Sequence, residues 1–187
     1  MPDVFADEKF VWYLMRGSGI VVMALLTLST AAGIFSTART GNRAWPRFAT
    51  QALHRNVSLI TVALLIAHSI TAVIHKFVDI RWVDVFVPFA GPYEPLWIGL
   101  GAVSVDAIVV VVATSLVRQR LDHRMWRGIH LASYLAWAAG VVHGIGIGTD
   151  VKTTSWGLGT TVASIGLVAA CLVVRFATLT QERKYAA

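Results

Sequence analysis

Apolar stretches near twenty residues long recur five times along this chain, and that recurrence limits its folds more than any single residue does. The hydrocarbon core of a bilayer is about 30 Å thick, and about 20 helical residues cross it. The pattern predicts an all-α membrane protein with five transmembrane helices, over about Trp12–Ser36, Ala49–Phe77, Leu96–Val117, Met125–Ile147 and Trp156–Thr178. Composition agrees: 56% of residues are hydrophobic and 14% charged, where a soluble domain is closer to a quarter charged. A single domain, 1–187, accounts for the length. Asp3, Asp7 and Glu8 do not suit the n-region of a cleaved signal peptide. The long second connection, Lys76 to Pro95, carries Phe86, Pro88, Phe89, Pro92 and Tyr93. It reads as an amphipathic cap at the interface, or as a lid over a cofactor.

Charge separates by side. One set of loops carries Arg39, Arg43, Arg47, Arg55, Arg118, Arg120, Arg124, Arg127, Arg175, Arg183 and Lys184 against Asp122 and Glu182. The other carries Lys9, Arg16, Lys76, Arg81 and Lys152 against Asp3, Asp7, Glu8, Asp79, Asp84, Glu94 and Asp150. The positive-inside rule puts the first set in the cytoplasm, the N-terminus outside and the C-terminus inside. Trp12, Trp82, Trp97 and Trp156 then fall near outer ends, and Trp45 and Trp126 near inner ends, as an aromatic belt. The net charge of +6 sets topology and needs no nucleic acid.

Histidines stand inside two of these spans. His54 and His68 are fourteen positions apart, and His130 and His143 thirteen. Each interval covers roughly 20 Å of helix, so each helix places one imidazole toward either leaflet. The second and fourth helices run in the same direction, which levels His54 with His130 and His68 with His143. Ionisable residues inside a membrane usually mark function, and imidazole is an axial ligand of haem iron. Two non-covalent, bis-histidine b haems follow; without a CxxCH motif, covalent c-type attachment is not indicated. On an ideal helix His54 and His68 share a face, whereas His130 and His143 lie roughly 140° apart. The fourth helix therefore needs a local distortion, for which Gly140 is the candidate, or its haems need different approach angles. The plainer alternative is a set of polar residues bonding between helices.

Several neighbours complete the reading. Arg16, Arg55 and Arg127 are candidates for haem propionates, or for lipid headgroups. Trp137 stands between the two histidine depths and either couples the haems or fills space. Asp106 is the acid deep in a span, and a hydroxyl, a water or a ligand imidazole is its expected partner. Gly144, Gly146 and Gly148 suit either close approach to a porphyrin or helix packing. His75, on the His68 face, is read as interfacial, with a role at the outer haem or acceptor as the alternative; His123 is read as an exposed loop residue and Cys171 as a small core residue.

The motifs Trp126-Arg127-Gly128-Ile129-His130, His143-Gly144, Leu53-His54-Arg55 with His68, Arg16-Gly17-Ser18-Gly19 and Thr114-Ser115-Leu116-Val117-Arg118 together resemble the ferric reductase-like transmembrane domain family. That family includes NADPH oxidases, ferric reductases and the haem subunit of a bacterial methionine-sulfoxide reductase system. The likeness extends over nearly all the chain, and the thirteen-residue histidine interval is the family's own. It implies that His54 and His130 hold an inner haem, and His68 and His143 an outer one. It also implies a bacterial inner-membrane oxidoreductase component that transfers electrons across the membrane.

Unlike NADPH oxidases, the chain stops soon after the fifth helix and has no GxGxxG fingerprint. No flavin or nicotinamide site is expected within it. The expected donor is a cytoplasmic flavin reductase or a membrane quinol. The expected acceptor is an extracytoplasmic flavin, molybdenum or other protein, oxygen, or a ferric complex. The competing class is a haem-free membrane transporter or anchoring subunit.

Overall fold

The computed structural model describes residues 8–37, 46–76 and 78–186, with the side chains of Glu8, Arg47 and residues 181–186 left aside. Asp3, Asp7, Arg39, Arg43, Trp45 and Phe77, and the side chains of Glu8, Arg47, Glu182, Arg183 and Lys184, lie outside the described residues. The helices are α1 (Glu8–Thr37), α2 (Arg47–Ile74), α3 (Trp82–Phe86), α4 (Pro95–Leu116), α5 (His123–His130), α6 (Ala132–Ile147), α7 (Thr149–Thr153) and α8 (Ser155–Ala186). A 3-10 turn at Arg118–Arg120 links α4 to α5. Five segments are long and apolar enough to cross a membrane: α1, α2, α4, α5 with α6, and α8. They match the five expected spans to within a few residues, apart from a longer end on α8.

α1 is the organising helix: it packs against α2, α6 and α8, while α4 packs against α6. Lipid tails are as apolar as leucine, so membrane helices associate through small residues and close backbone contact. Ala136 of α6 is fully buried, with Leu26 of α1 and Ile108 of α4 against it. Ser104 of α4 donates to the Ala136 carbonyl at 2.8 Å, tying the two helices at their crossing. A second cluster joins Ala31 and Ile34 of α1 to Val168 and Cys171 of α8, which makes Cys171 the core residue expected of it.

The distortion of the fourth span is present, but not at Gly140. It lies at Leu131, directly after His130, where α5 ends and α6 begins. The Leu131 N–H is shared between the carbonyls of Arg127 and Gly128, each at 3.2 Å, so the helix tightens over one residue. Gly140 is instead a contact point: a Cβ there would lie 3.3 Å from Ser104 Oγ.

The long connection folds into α3 and the turns around it. Asp84, 2% exposed, holds it together. Its carboxylate accepts from the Arg81 backbone N–H at 2.9 Å and from the Arg81 guanidinium at 2.8 and 3.1 Å. Phe86 and Phe89 remain exposed, as an interfacial cap requires.

Candidate cofactor site

Three of the four intramembrane histidines are held by one repeated device, a backbone carbonyl followed four residues later by a glycine. On α1 the Ser29 carbonyl accepts from His54 Nδ1 at 2.9 Å, and a Cβ on Gly33 would lie 3.3 Å from that ring's Cε1. The Met15 carbonyl accepts from His68 Nδ1 at 3.0 Å, and a Cβ on Gly19 would lie 2.9 Å from Cε1. On α4 the Trp97 carbonyl accepts from His143 Nδ1 at 2.7 Å, and a Cβ on Gly101 would lie 2.9 Å from Nδ1. The geometry explains the spacing. A helical carbonyl already bonds the N–H four residues on but keeps a second lone pair. A glycine at that fourth residue leaves the approach to the lone pair open. Ser29, Ser58 and Ser18 add hydroxyls around the α2 rings; Ser29 Oγ lies 2.6 Å from Ser58 Oγ, and Ser18 Oγ 3.3 Å from His68 Nδ1.

A carbonyl only accepts, so these three rings carry their proton on Nδ1. In the neutral ring the lone pair then sits on Nε2. Histidines that bind metals through one nitrogen are fixed in this way through the other.

The structure brings together the partners that the depth argument paired. His54 and His130 stand with ring centroids 6.1 Å apart at an interplanar angle of 73°. His68 and His143 both line a cavity of about 450 Å³ near the opposite ends of their helices. No group of three or more His, Cys, Asp or Glu side chains able to hold a metal ion occurs among the described residues. Two imidazoles suit a group that brings its own remaining ligands. With metal–nitrogen bonds of about 2 Å, two imidazoles on one iron place their ring centres about 6 Å apart. The His54–His130 pair fits that separation. The outer cavity is of the size that takes a cofactor, and Gly144 lines it with open space where a side chain would stand. The ring separation at the inner pair and the cavity at the outer pair are compatible with a group held by two imidazoles at each.

His130 differs from the other three. Its Nδ1 is buried with no hydrogen-bond partner among the described residues. Its ring stacks on Trp126 at 4.9 Å and 28°, and the Arg118 guanidinium lies 4.4 Å over the Trp126 ring. Arg55, Arg118 and Arg127 are all exposed, and Arg118 is the one whose guanidinium reaches the aromatic stack on His130.

At the outer cavity Arg16 already has a partner. Its Nε donates to Asp150 Oδ2 at 2.9 Å and its terminal nitrogen pairs with Oδ1. Its guanidinium also lies 4.1 Å over Trp12. Trp137 donates from Nε1 to Thr27 Oγ1 at 3.0 Å, and Thr27 falls between Gly19 and Gly33 on α1, so the indole does sit between the two histidine depths.

His75 departs from its interfacial assignment: it is 4% exposed and lines the outer cavity. It ends α2 and turns inward where the chain leaves the helix with φ −73° and ψ 124°. His123 is exposed as expected. Asp106 makes no hydrogen bond or ion pair among the described residues. Gly146 packs against the Trp97 ring and Gly148 caps α6, which explains both by packing.

Residues 10–150, three quarters of the chain, match a family described as a domain of unknown function, DUF8596. The chain belongs to that family. All four histidines, their three glycines and the Arg16–Asp150 pair fall inside the DUF8596 region, and α8 lies beyond it. No curated protein and no solved structure matches the chain.

Proposed function

We propose that this chain carries electrons across the membrane through two b haems, one between His54 and His130 and the other between His68 and His143. The observation that supports this most is the arrangement of His54, His68 and His143. Each donates from Nδ1 to a helix carbonyl against a glycine, which leaves Nε2 for a metal. Haem iron, when bound, supplies a one-electron couple between ferric and ferrous states.

The chain's own work is then positional. The carbonyls of Ser29, Met15 and Trp97 fix three tautomers. The cap over the outer cavity, with Asp84 and Tyr93 facing inward, limits access of water. Arg16, paired with Asp150, lines the same cavity and would offer its remaining donors to a carboxylate of a haem held there, since unpaired charge is costly in a low-dielectric setting. If two imidazoles hold each iron, the chain would offer no open metal position for substrate, and reduction of the acceptor would be outer-sphere or belong to a partner.

The basic loops assign the His54–His130 end to the cytoplasm. On this reading the chain is an oxidoreductase component of a bacterial inner membrane, fed by a cytoplasmic flavin reductase or quinol. Its acceptor is extracytoplasmic: a flavin or molybdenum protein, or a ferric complex. The resemblance to the ferric reductase-like family points the same way.

Sealed vesicles test it. With reduced flavin confined to the cytoplasmic side, external ferricyanide should be reduced by the wild type. It should not be reduced by His54→Ala or by His68→Ala. Equal external reduction by a variant lacking one pair would break the proposed series of two sites.

A further inference from the structure

The inner histidine pair connects to the protein surface through a run of stacked groups. His130 stacks on Trp126, and the guanidinium of Arg118, an exposed residue, lies 4.4 Å over the same indole. Trp126 and His130 are four residues apart on α5 and so share a helix face. The Trp126 Nε1 is buried with no hydrogen-bond partner among the described residues, and the exposed His123 ring also lies 6.0 Å from the indole at 32°. Around it Arg118, Arg120, Arg124 and Arg127 are all exposed. The one acid among them, Asp122, is engaged: its carboxylate accepts from the backbone N–H groups of Arg124 and Met125 at 2.8 and 3.2 Å, capping α5. The corner between α4 and α5 is therefore strongly cationic, and its Arg118 lies on the indole that stacks on His130.

We infer that this corner is the docking site of a reduced redox protein with an acidic face, and that Trp126 is the residue through which its electrons reach the inner pair. The inference rests on the haem reading above. In each step the docked donor loses one electron and one ferric iron becomes ferrous; no bond forms or breaks. Cationic corners also bind anionic lipid headgroups, but headgroup binding requires no aromatic stack running inward from the arginines. That stack favours a redox partner.

The test uses the full haem-loaded chain in detergent and photoreduced flavodoxin, an acidic flavoprotein, as probe. Reduced methyl viologen, a small cation, serves as the comparison reductant. Flavodoxin should reduce the wild-type haem at a rate that falls steeply with salt, and Arg120→Glu with Arg124→Glu should slow it by about tenfold or more at low salt. Reduction by methyl viologen should not slow with the same charge reversal. At saturating flavodoxin, Trp126→Leu should slow reduction, while Trp126→Phe, which keeps a stacked ring, should stay close to wild type. Haem content, read from the oxidised spectrum, accompanies every rate.

A haem-loaded, charge-reversed chain that flavodoxin reduces at the wild-type rate overturns the inference. So does one that has lost only its binding to anionic vesicles, which would assign the arginines to headgroups. Equal rates for Trp126→Leu and wild type overturn the role of the indole. A chain that holds no haem overturns both this inference and the reading beneath it.

Discussion

Gly19 leaves the space that the His68 imidazole fills: a Cβ at that position would lie 2.9 Å from Cε1, closer than side chains tolerate. The carbonyl that accepts from the same ring belongs to Met15, one turn earlier. Gly33 with Ser29 and Gly101 with Trp97 repeat the relationship at His54 and His143. Gly19 and Gly33 are fourteen residues apart on α1, the same interval that separates His54 from His68 on the antiparallel α2.

Substitutions of these glycines should therefore act on haem retention in graded fashion. Gly19→Ala and Gly101→Ala each force an imidazole to shift and should lower outer-haem occupancy. Gly33→Ala, with 3.3 Å to its ring, should affect the inner haem more mildly. Overpacking of this kind costs about 1–3 kcal/mol. Gly17→Ala, where no heavy atom lies within 4 Å, serves as the control and should keep both haems. Occupancy is read from absorbance per chain after purification; a Gly19→Ala protein with full outer-haem occupancy and wild-type potential would contradict the cradle.

Histidine replacements should sort by pair. His54→Ala and His130→Ala should share one spectral and redox phenotype, and His68→Ala and His143→Ala the other. Potentiometric titration of the four variants checks this. A match between His54→Ala and His143→Ala would contradict the pairing.

The Arg16–Asp150 pair joins α1 to α7 at the mouth of the outer cavity, with side chains 20% and 19% exposed. Removing one partner leaves a partly buried charge or acceptor unsatisfied, at a cost of about 1–3 kcal/mol. Arg16→Gln and Asp150→Asn should each lower thermal stability, and the double variant should lose less than the sum of the two. Asp150→Asn should also shift the outer-haem potential, because Arg16 is then steered differently. Strict additivity in the double-mutant cycle would show that the pair has no coupling.

The cap should respond to acid. Hydrogen bonds from the Arg81 side chain, and then from its backbone N–H, hold the Asp84 carboxyl below the usual carboxylate range, against the opposing effect of burial. A depressed folded-state value means that this stabilisation is complete above the unfolded carboxylate value of about 3.9. It is lost as pH falls through the lower folded value. Hydrogen–deuterium exchange of residues 79–93, corrected for intrinsic rates, should stay constant from about pH 7 to pH 5 and rise only in stronger acid. Asp84→Asn should raise it throughout. Protection that already fades near neutral pH would rule out Asp84 as the clasp.

Much of this was legible in the sequence, because the bilayer imposes a length and a composition on every span. The five apolar runs gave the helices, and the two histidine intervals are matched by His54 standing beside His130 and by His68 and His143 lining one cavity. The carbonyl–glycine cradles were not legible in advance. A glycine at position 19 or 33 reads as ordinary helix packing until the opposing helix is in register. The bend was expected at Gly140 because glycine is the usual suspect; it falls at Leu131, where the end of α5 rather than residue type sets the backbone. Arg118 was passed over beside Arg55 and Arg127 because adjacency in sequence stood in for adjacency in space. His75 was read as interfacial from its neighbour Lys76, whereas the turn after Ile74 aims it into the cavity.

The most direct test of the central claim is the haem content of the purified chain, expressed in haem-sufficient cells and measured by pyridine haemochrome against protein determined by amino-acid analysis. The account predicts b-type haem at close to two per chain, falling to about one in His68→Ala if each pair of axial imidazoles holds its own iron. A stably folded protein that is colourless, or that keeps its full haem content without His68, would contradict it.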